Sequence, residues 1–129
     1  MELLKKLQIE LGLSYLIISH DIAALRKIAH RIGVMYLGEI VELATPQAIM
    51  HGALHPYTEA LLSAIPIPDP IKERKRHYVF MTGDPPSPLN PPKGCPFHTR
   101  CPMAMPMCEI EKPVLKEVTE GHFASCHLF

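Results

Sequence analysis

Tyr15-Leu16-Ile17-Ile18-Ser19-His20-Asp21 is the stretch on which the fold turns. A short apolar run followed at once by polar residues is the pattern of a strand buried on both faces that ends in a turn. Ile22, Leu25, Ile28, Ala29 and Ile32 then recur at helical spacing, with Ser19 or Asp21 placed to cap the first turn. The expected unit is strand, polar turn, helix. Ligands of α/β sheets sit beyond the carboxyl ends of the strands, and His20 occupies that place. Ser19, His20 and Asp21 do not make a hydrolase triad, because three adjacent side chains cannot point into one hydrogen-bonded line. Taken alone, a histidine after a strand is more often a turn residue than a reacting group.

Upstream, Leu3, Leu4, Leu7 and Leu11 mark one face of a helix from Glu2 to Leu11, stopped by Gly12. Downstream, Gly33–Leu37 and Ile40–Leu43 flank Gly38-Glu39, which reads as a hairpin with a two-residue turn. Thr45-Pro46 opens a helix that Gly52 stops, and His55-Pro56-Tyr57 opens another running through Ala64 and ended by Pro66. Tyr57, Leu61 and Leu62 of that last helix are expected in a core. Eight of the fourteen prolines lie between Pro66 and Pro92, so residues 66–94 are expected as an extended connector without regular helix. A short strand is expected at Tyr78-Val79-Phe80, and the basic run Lys72, Arg74, Lys75, Arg76 reads as solvated surface.

Composition narrows the classes of function. The chain has 129 residues, 47% of them hydrophobic and 20% charged, which is the balance of a globular protein with room for one domain and a tail. With a formal net charge of zero, nothing draws it to nucleic acid, and no nucleic-acid partner is expected. Its apolar runs are far shorter than the roughly 20 residues that span a bilayer. Met1-Glu2-Leu3-Leu4-Lys5-Lys6 lacks the ordered regions of a signal peptide, so the chain is expected in the cytoplasm.

In that compartment Cys95, Cys101, Cys108 and Cys126 are expected as metal-binding thiolates rather than as two disulfides. Gly94 precedes the first, and Pro96 and Pro102 follow the first two, residues that make compact ligand-presenting turns. The spacing has no paired CxxC knuckles, which disfavours zinc without excluding it. A [4Fe–4S] cluster takes one cysteine per iron and tolerates uneven spacing, so both metals stay open on chemistry alone. His98, His122 and His127 are read as groups supporting the ligands or lying on the surface, and Met103, Met105 and Met107 as loop packing rather than a copper site.

The run Tyr15–Asp21, with Arg31–Leu37 and Gly38-Glu39-Ile40-Val41-Glu42, resembles the switch-histidine region and following hairpin of ABC transporter ATPases over residues 1 to about 45. His55-Pro56-Tyr57-Thr58-Glu59-Ala60-Leu61-Leu62 and Gly83-Asp84-Pro85-Pro86-Ser87-Pro88 resemble the C-terminal extension of the oligopeptide, dipeptide and nickel import ATPases, and do so more specifically. Gly94-Cys95-Pro96-Phe97-His98, Arg100-Cys101-Pro102, Cys108 and Cys126-His127 are similar to the cysteine-bearing tail of the same group, in which a [4Fe–4S] cluster is known.

The resemblance implies an α+β remnant of a P-loop ATP-binding domain over residues 1–65 and a loop-rich, four-cysteine metal-binding extension over 66–129. It implies that His20 contacts the γ-phosphate of ATP in the complete subunit, where an imidazole donating to phosphate oxygens helps orient the attacking water. The implied cofactor is a [4Fe–4S] cluster on Cys95, Cys101, Cys108 and Cys126, with zinc as the second choice. ATP and Mg²⁺ belong to the complete subunit only. The implied partners are a second ATP-binding subunit, two membrane permease subunits and, indirectly, an extracytoplasmic peptide-binding protein, with the chain peripheral on the cytoplasmic face of the membrane.

No GxxxxGK[ST] phosphate loop, no LSGGQ-like segment and no acidic pair ending a strand occurs in the 129 residues, so this chain alone is not expected to hydrolyse ATP. Met1 falls where the resembled family has the interior of a helix, which suggests a fragment or a truncated gene product. A metal-stabilised, non-enzymatic interaction or regulatory module is the alternative reading.

Overall fold

The computed structural model describes residues 2–66, 68–74 and 78–129. Helix α1 (Glu2–Leu11) forms as its amphipathic pattern requires, with Lys6 and Glu10 paired at 3.7 Å one turn apart. It buries no residue, and Leu3, Ile9 and Leu11 stay exposed.

Residues 12–19 do not form the expected strand. A doubly buried strand needs neighbours on both edges and helices on both faces. None of the four strands pairs with Tyr15–Ile18, and Leu16 and Ile18 are more than nine-tenths exposed. Asp21 does cap the next helix, its carboxylate accepting from the Ala24 N–H at 2.9 Å. The helix α2 is a single turn (Ile22–Leu25) that relaxes into turns before Ile32 enters the sheet. Ile22, Leu25 and Ile28 are nevertheless all buried, so the apolar spacing marks the core face although the helix is shorter than expected.

Strands β1 (Ile32–Tyr36) and β2 (Glu39–Ala44) make the expected hairpin. Its turn sits one residue earlier than the sequence suggests, on Leu37 and Gly38, both at positive φ. That pair of left-handed residues matches the right-handed twist of the flanking strands, and Gly38 supplies one of them without steric cost. Alternation on β1 buries Ile32, Val34 and Tyr36 and leaves Gly33 and Met35 outside. Helix α3 (Pro46–Gly52) is capped by Thr45, and α4 (Pro56–Ser63) by His55, whose ring nitrogen accepts from the Tyr57 N–H at 3.1 Å.

Past residue 66 the chain is less extended than its prolines suggest. Pro70 begins a short helix α5 (Pro70–Arg74), where the missing N–H costs nothing at a first helical position. Tyr78-Val79-Phe80 forms no strand, and Lys75 and Arg76 of the basic run lie outside the described residues. The cysteine segment holds a 3₁₀ turn (His98–Arg100), a short helix α6 (Pro106–Ile110) and an unexpected hairpin, β3 (Lys116–Thr119) with β4 (His122–Ala124).

That second hairpin joins the first. The sheet runs β1-β2-β4-β3, all antiparallel, with Glu42 opposite Ala124 and Leu43 opposite Phe123. The fold is therefore α+β, with one sheet assembled from both halves of the sequence. Its core gathers Val34, Tyr36, Val41, Ala44 and Ile49 from the first half and Phe97, Cys95 and Cys108 from the second.

Phe97, 1% exposed, meets Tyr36 edge-on at 5.2 Å between ring centroids, Tyr57 at 5.3 Å and His55 at 5.6 Å. Offset and edge-to-face contacts of this kind add to the area buried. Phe97→Ala is expected to destabilise the chain by about 3–5 kcal/mol through lost transfer energy and the remaining void, read as a lower urea midpoint with an unchanged slope.

Candidate metal centre

The four cysteines are all free thiols, Cys95 and Cys108 buried and Cys101 and Cys126 half-buried. Cys95 is joined to Cys108 by a backbone hydrogen bond from its N–H to the Cys108 carbonyl at 2.7 Å. Cys101 closes the 3₁₀ turn, donating to the His98 carbonyl at 3.3 Å. Cys108 lies in α6, where its Sγ accepts from the Met105 N–H at 3.5 Å. Cys126 follows β4, one residue after Ser125, whose N–H donates to the Val41 carbonyl at 2.8 Å.

Gly94 makes the Cys95–Cys108 approach possible. Its φ is +70°, and a Cβ there would stand 2.3 Å from the Cys108 carbonyl oxygen and 2.7 Å from the Glu109 carbonyl carbon. Both the left-handed backbone and the lack of space demand glycine. Gly94→Ala is expected to push the Cys95 and Cys108 segments apart, costing at least the ~1–2 kcal/mol of the left-handed conformation, and to lower the chain's capacity for thiolate-binding metal. Thermal unfolding and a Co²⁺ titration read at the sulfur-to-metal charge-transfer band would check both effects.

Burial pushes the Cys95 thiol up to about 11, the backbone N–H of Phe97 opposes that rise, and negative charge on Cys108, Cys126 and Cys101 adds to it. Burial raises Cys101 as well, against the Met103 backbone, with Cys126 and Cys108 adding to the rise. Cys126 is raised by burial first, against the Leu128 backbone, and then by Cys108. Burial thus favours the protonated thiol at Cys95, Cys101 and Cys126, and a backbone N–H two residues further on opposes that rise at each of them. Among the described residues no three His, Cys, Asp or Glu side chains close round a single ion. A [4Fe–4S] cluster takes one thiolate at each iron and needs no common centre of the kind a single ion requires.

The three histidines serve the loops that carry the cysteines. His98 Nδ1 lies 2.8 Å from the Cys95 carbonyl and His127 Nε2 lies 2.9 Å from the Glu111 carbonyl, each donating. His122 is buried, its Nε2 2.7 Å from Oε1 of Glu42. Glu42 has no exposure to solvent and also accepts from the N–H groups of Leu54 at 2.8 Å and His55 at 2.9 Å. Sequence reasoning passed over this carboxylate. The signal was an acidic residue between Val41 and Leu43, on the apolar stretch of β2 that follows Glu39.

His20 is exposed on the bend before α2, and among the described residues no hydrogen bond or ion pair joins it to the cysteine segment.

His55 is the titrating group most perturbed by the fold. Burial lowers it from 6.5 to about 4, and the Glu42 carboxylate opposes the shift. Its Nδ1 accepts from Tyr57, so the ring is neutral with its proton on Nε2. A depressed imidazole gives stability that is complete above the unfolded value. Between pH 6.5 and pH 4 the unfolded chain binds the extra proton and that stability falls by roughly 3 kcal/mol at most. Denaturation midpoints should therefore drop across this interval, and His55→Gln should flatten the drop.

The fold is a small α+β unit whose second half carries four free cysteines. The family description "Oligopeptide/dipeptide transporter, C-terminal region" matches residues 41–108, and the chain belongs to that family. It is 52% identical over 127 residues to a putative oligopeptide transport ATP-binding protein, YkfD, of Bacillus subtilis, covering 98% of this chain and 39% of that protein. It is 52% identical over 124 residues to the oligopeptide transport ATP-binding protein OppF of Salmonella typhimurium, covering 96% of this chain and 37% of the relative. A third, OppF of Escherichia coli, is 51% identical over 124 residues. The chain thus spans about two fifths of the length of the curated relatives it matches. Among the described residues no helix is long and apolar enough to cross a membrane.

Proposed function

We propose that this chain is the C-terminal part of the ATP-binding subunit of a peptide importer, and that Cys95, Cys101, Cys108 and Cys126 hold a [4Fe–4S] cluster. The observation that carries the metal reading is the set of four free cysteines in one segment, with Cys95 tied to Cys108 through the backbone and the charges of Cys108, Cys126 and Cys101 acting on Cys95. Names of relatives that cover nearly the whole chain support the transport reading. In the complete subunit, ATP hydrolysis drives oligopeptide or dipeptide uptake. The partners are a second ATP-binding subunit, two permease subunits and, through them, an external peptide-binding protein, at the cytoplasmic face of the membrane.

His20 is the proposed contact to the γ-phosphate, its exposure leaving the ring open to a nucleotide bound by residues outside this chain. One imidazole supplies neither the cradle nor the charge neutralisation of phosphoryl transfer, so the 129 residues alone do not turn over ATP. A bound cluster would supply the positive charge that four desolvated thiolates lack. The chain's own part is to bring the four sulfurs together and shield them. Gly94 does this for the first and third, the 3₁₀ turn for the second, and β4 for the fourth.

The test is the iron, sulfide and zinc content of anaerobically purified chain, with its visible spectrum. About four irons per chain and broad absorption near ~400 nm support the cluster. One zinc with no visible absorption replaces it with a structural zinc site. Loss of most of the metal in Cys126→Ser is expected in either case.

A further inference from the structure

Strand β4 is three residues long and meets β2 at only two positions, too little backbone pairing to hold a strand by itself. Cys126 comes two residues after it, so its sulfur is placed only as well as β4 is held. On the far side, Ser125 Oγ donates to the Pro113 carbonyl at 2.7 Å and its N–H to the Val41 carbonyl at 2.8 Å. Both acceptors are neutral. Among the described residues the contact of β4 with a carboxylate is His122 on Glu42, both side chains buried, and hydrogen bonds to a carboxylate are roughly twice as strong as neutral ones. The same carboxylate spends its remaining capacity on the Leu54 and His55 N–H groups at the start of α4. The Cys126 sulfur also lies near enough to Glu42 for the carboxylate charge to act on it.

We propose that Glu42, through His122, is the positioning residue for Cys126, and that it couples occupancy of the four-thiol centre to order at the start of α4. The direction of coupling follows from the contacts. A filled centre fixes Cys126, Cys126 fixes β4, and β4 brings His122 onto Glu42, which then holds Leu54 and His55. Phe97, two residues after Cys95, packs on the same His55 ring and gives the segment a second tie to the centre. The inference rests on the four-thiol reading but not on which metal fills the site.

Amide hydrogen exchange of the whole chain, with His122→Phe and His122→Gln, tests it. Glutamine keeps an N–H donor for Glu42, whereas phenylalanine removes it at similar bulk. In metal-free protein, His122→Phe should speed exchange at Ser125, Leu54 and His55 by about tenfold or more while the β1–β2 amides change little. His122→Gln should stay near the parent chain. After reconstitution with Fe²⁺ and sulfide, iron should leave the phenylalanine variant several-fold faster than the parent and the glutamine variant. Unchanged exchange at Ser125 in His122→Phe overturns the proposal, as does equal acceleration in β1 and β2, which would reduce the pair to general stability. A parent chain that retains no iron defeats the cluster reading, while the metal-free exchange still decides the role of Glu42.

Discussion

A carboxylate with no access to water must have its charge or its lone pairs met inside the protein, and Glu42 meets that demand with groups from three separate parts of the chain. Its own strand is the second of the first hairpin, the two amides belong to the entry of α4, and the imidazole belongs to the last strand. Removing any one leaves a buried oxygen short of a donor. The contact lies where β4 pairs with β2, so the sheet brings the imidazole to the carboxylate. His55, whose ring caps α4 by accepting from the Tyr57 N–H, is depressed by burial in spite of the Glu42 carboxylate, which opposes the shift.

Around this polar centre the aromatic groups divide the remaining work. Tyr36 from β1, Tyr57 from α4 and Phe97 from the cysteine segment meet edge to face, with Tyr36 and Tyr57 only 4.8 Å apart. Phe97 is among the largest side chains with almost no exposure, and it stands two residues after the first cysteine. The thiol site is therefore built against the core, not hung from it. That arrangement explains how a segment with one 3₁₀ turn, a five-residue helix and two short strands keeps four sulfurs within electrostatic reach of each other.

Much of this was legible where local chemistry decides local structure. The Thr45 and His55 starts, the first hairpin and the buried spacing of Ile22, Leu25 and Ile28 depend on capping, turn residues and periodicity, which a sequence displays directly. The four cysteines drew attention in the sequence because their residue type restricts their chemistry. The β3–β4 hairpin was not legible, because its strands are three and four residues long, with a pattern no clearer than that of a loop. Glu42 and His122 are 80 positions apart, and neither residue signals the other. The strand expected at Tyr15–Ile18 failed for the opposite reason. Its pattern specifies burial on both faces, but burial needs neighbours, and no strand among the described residues pairs with it.

The unpartnered apolar residues sharpen that last contrast. Leu3, Ile9, Leu11, Leu16 and Ile18 all precede α2 and are exposed, while from Ile22 onward the inward positions of the first hairpin and its helices find cover. Hydrophobic burial is roughly proportional to area removed from water, so the first 20 residues contribute little to stability as the chain stands. What holds the rest is a small core locked by one buried carboxylate and one aromatic cluster, both drawing on the cysteine segment. A metal held by the proposed four-thiol site would close the loop-rich segment that supplies part of this core. Binding energy at the four thiols would then appear largely as folding energy, passed to the hairpin through Phe97 and Glu42.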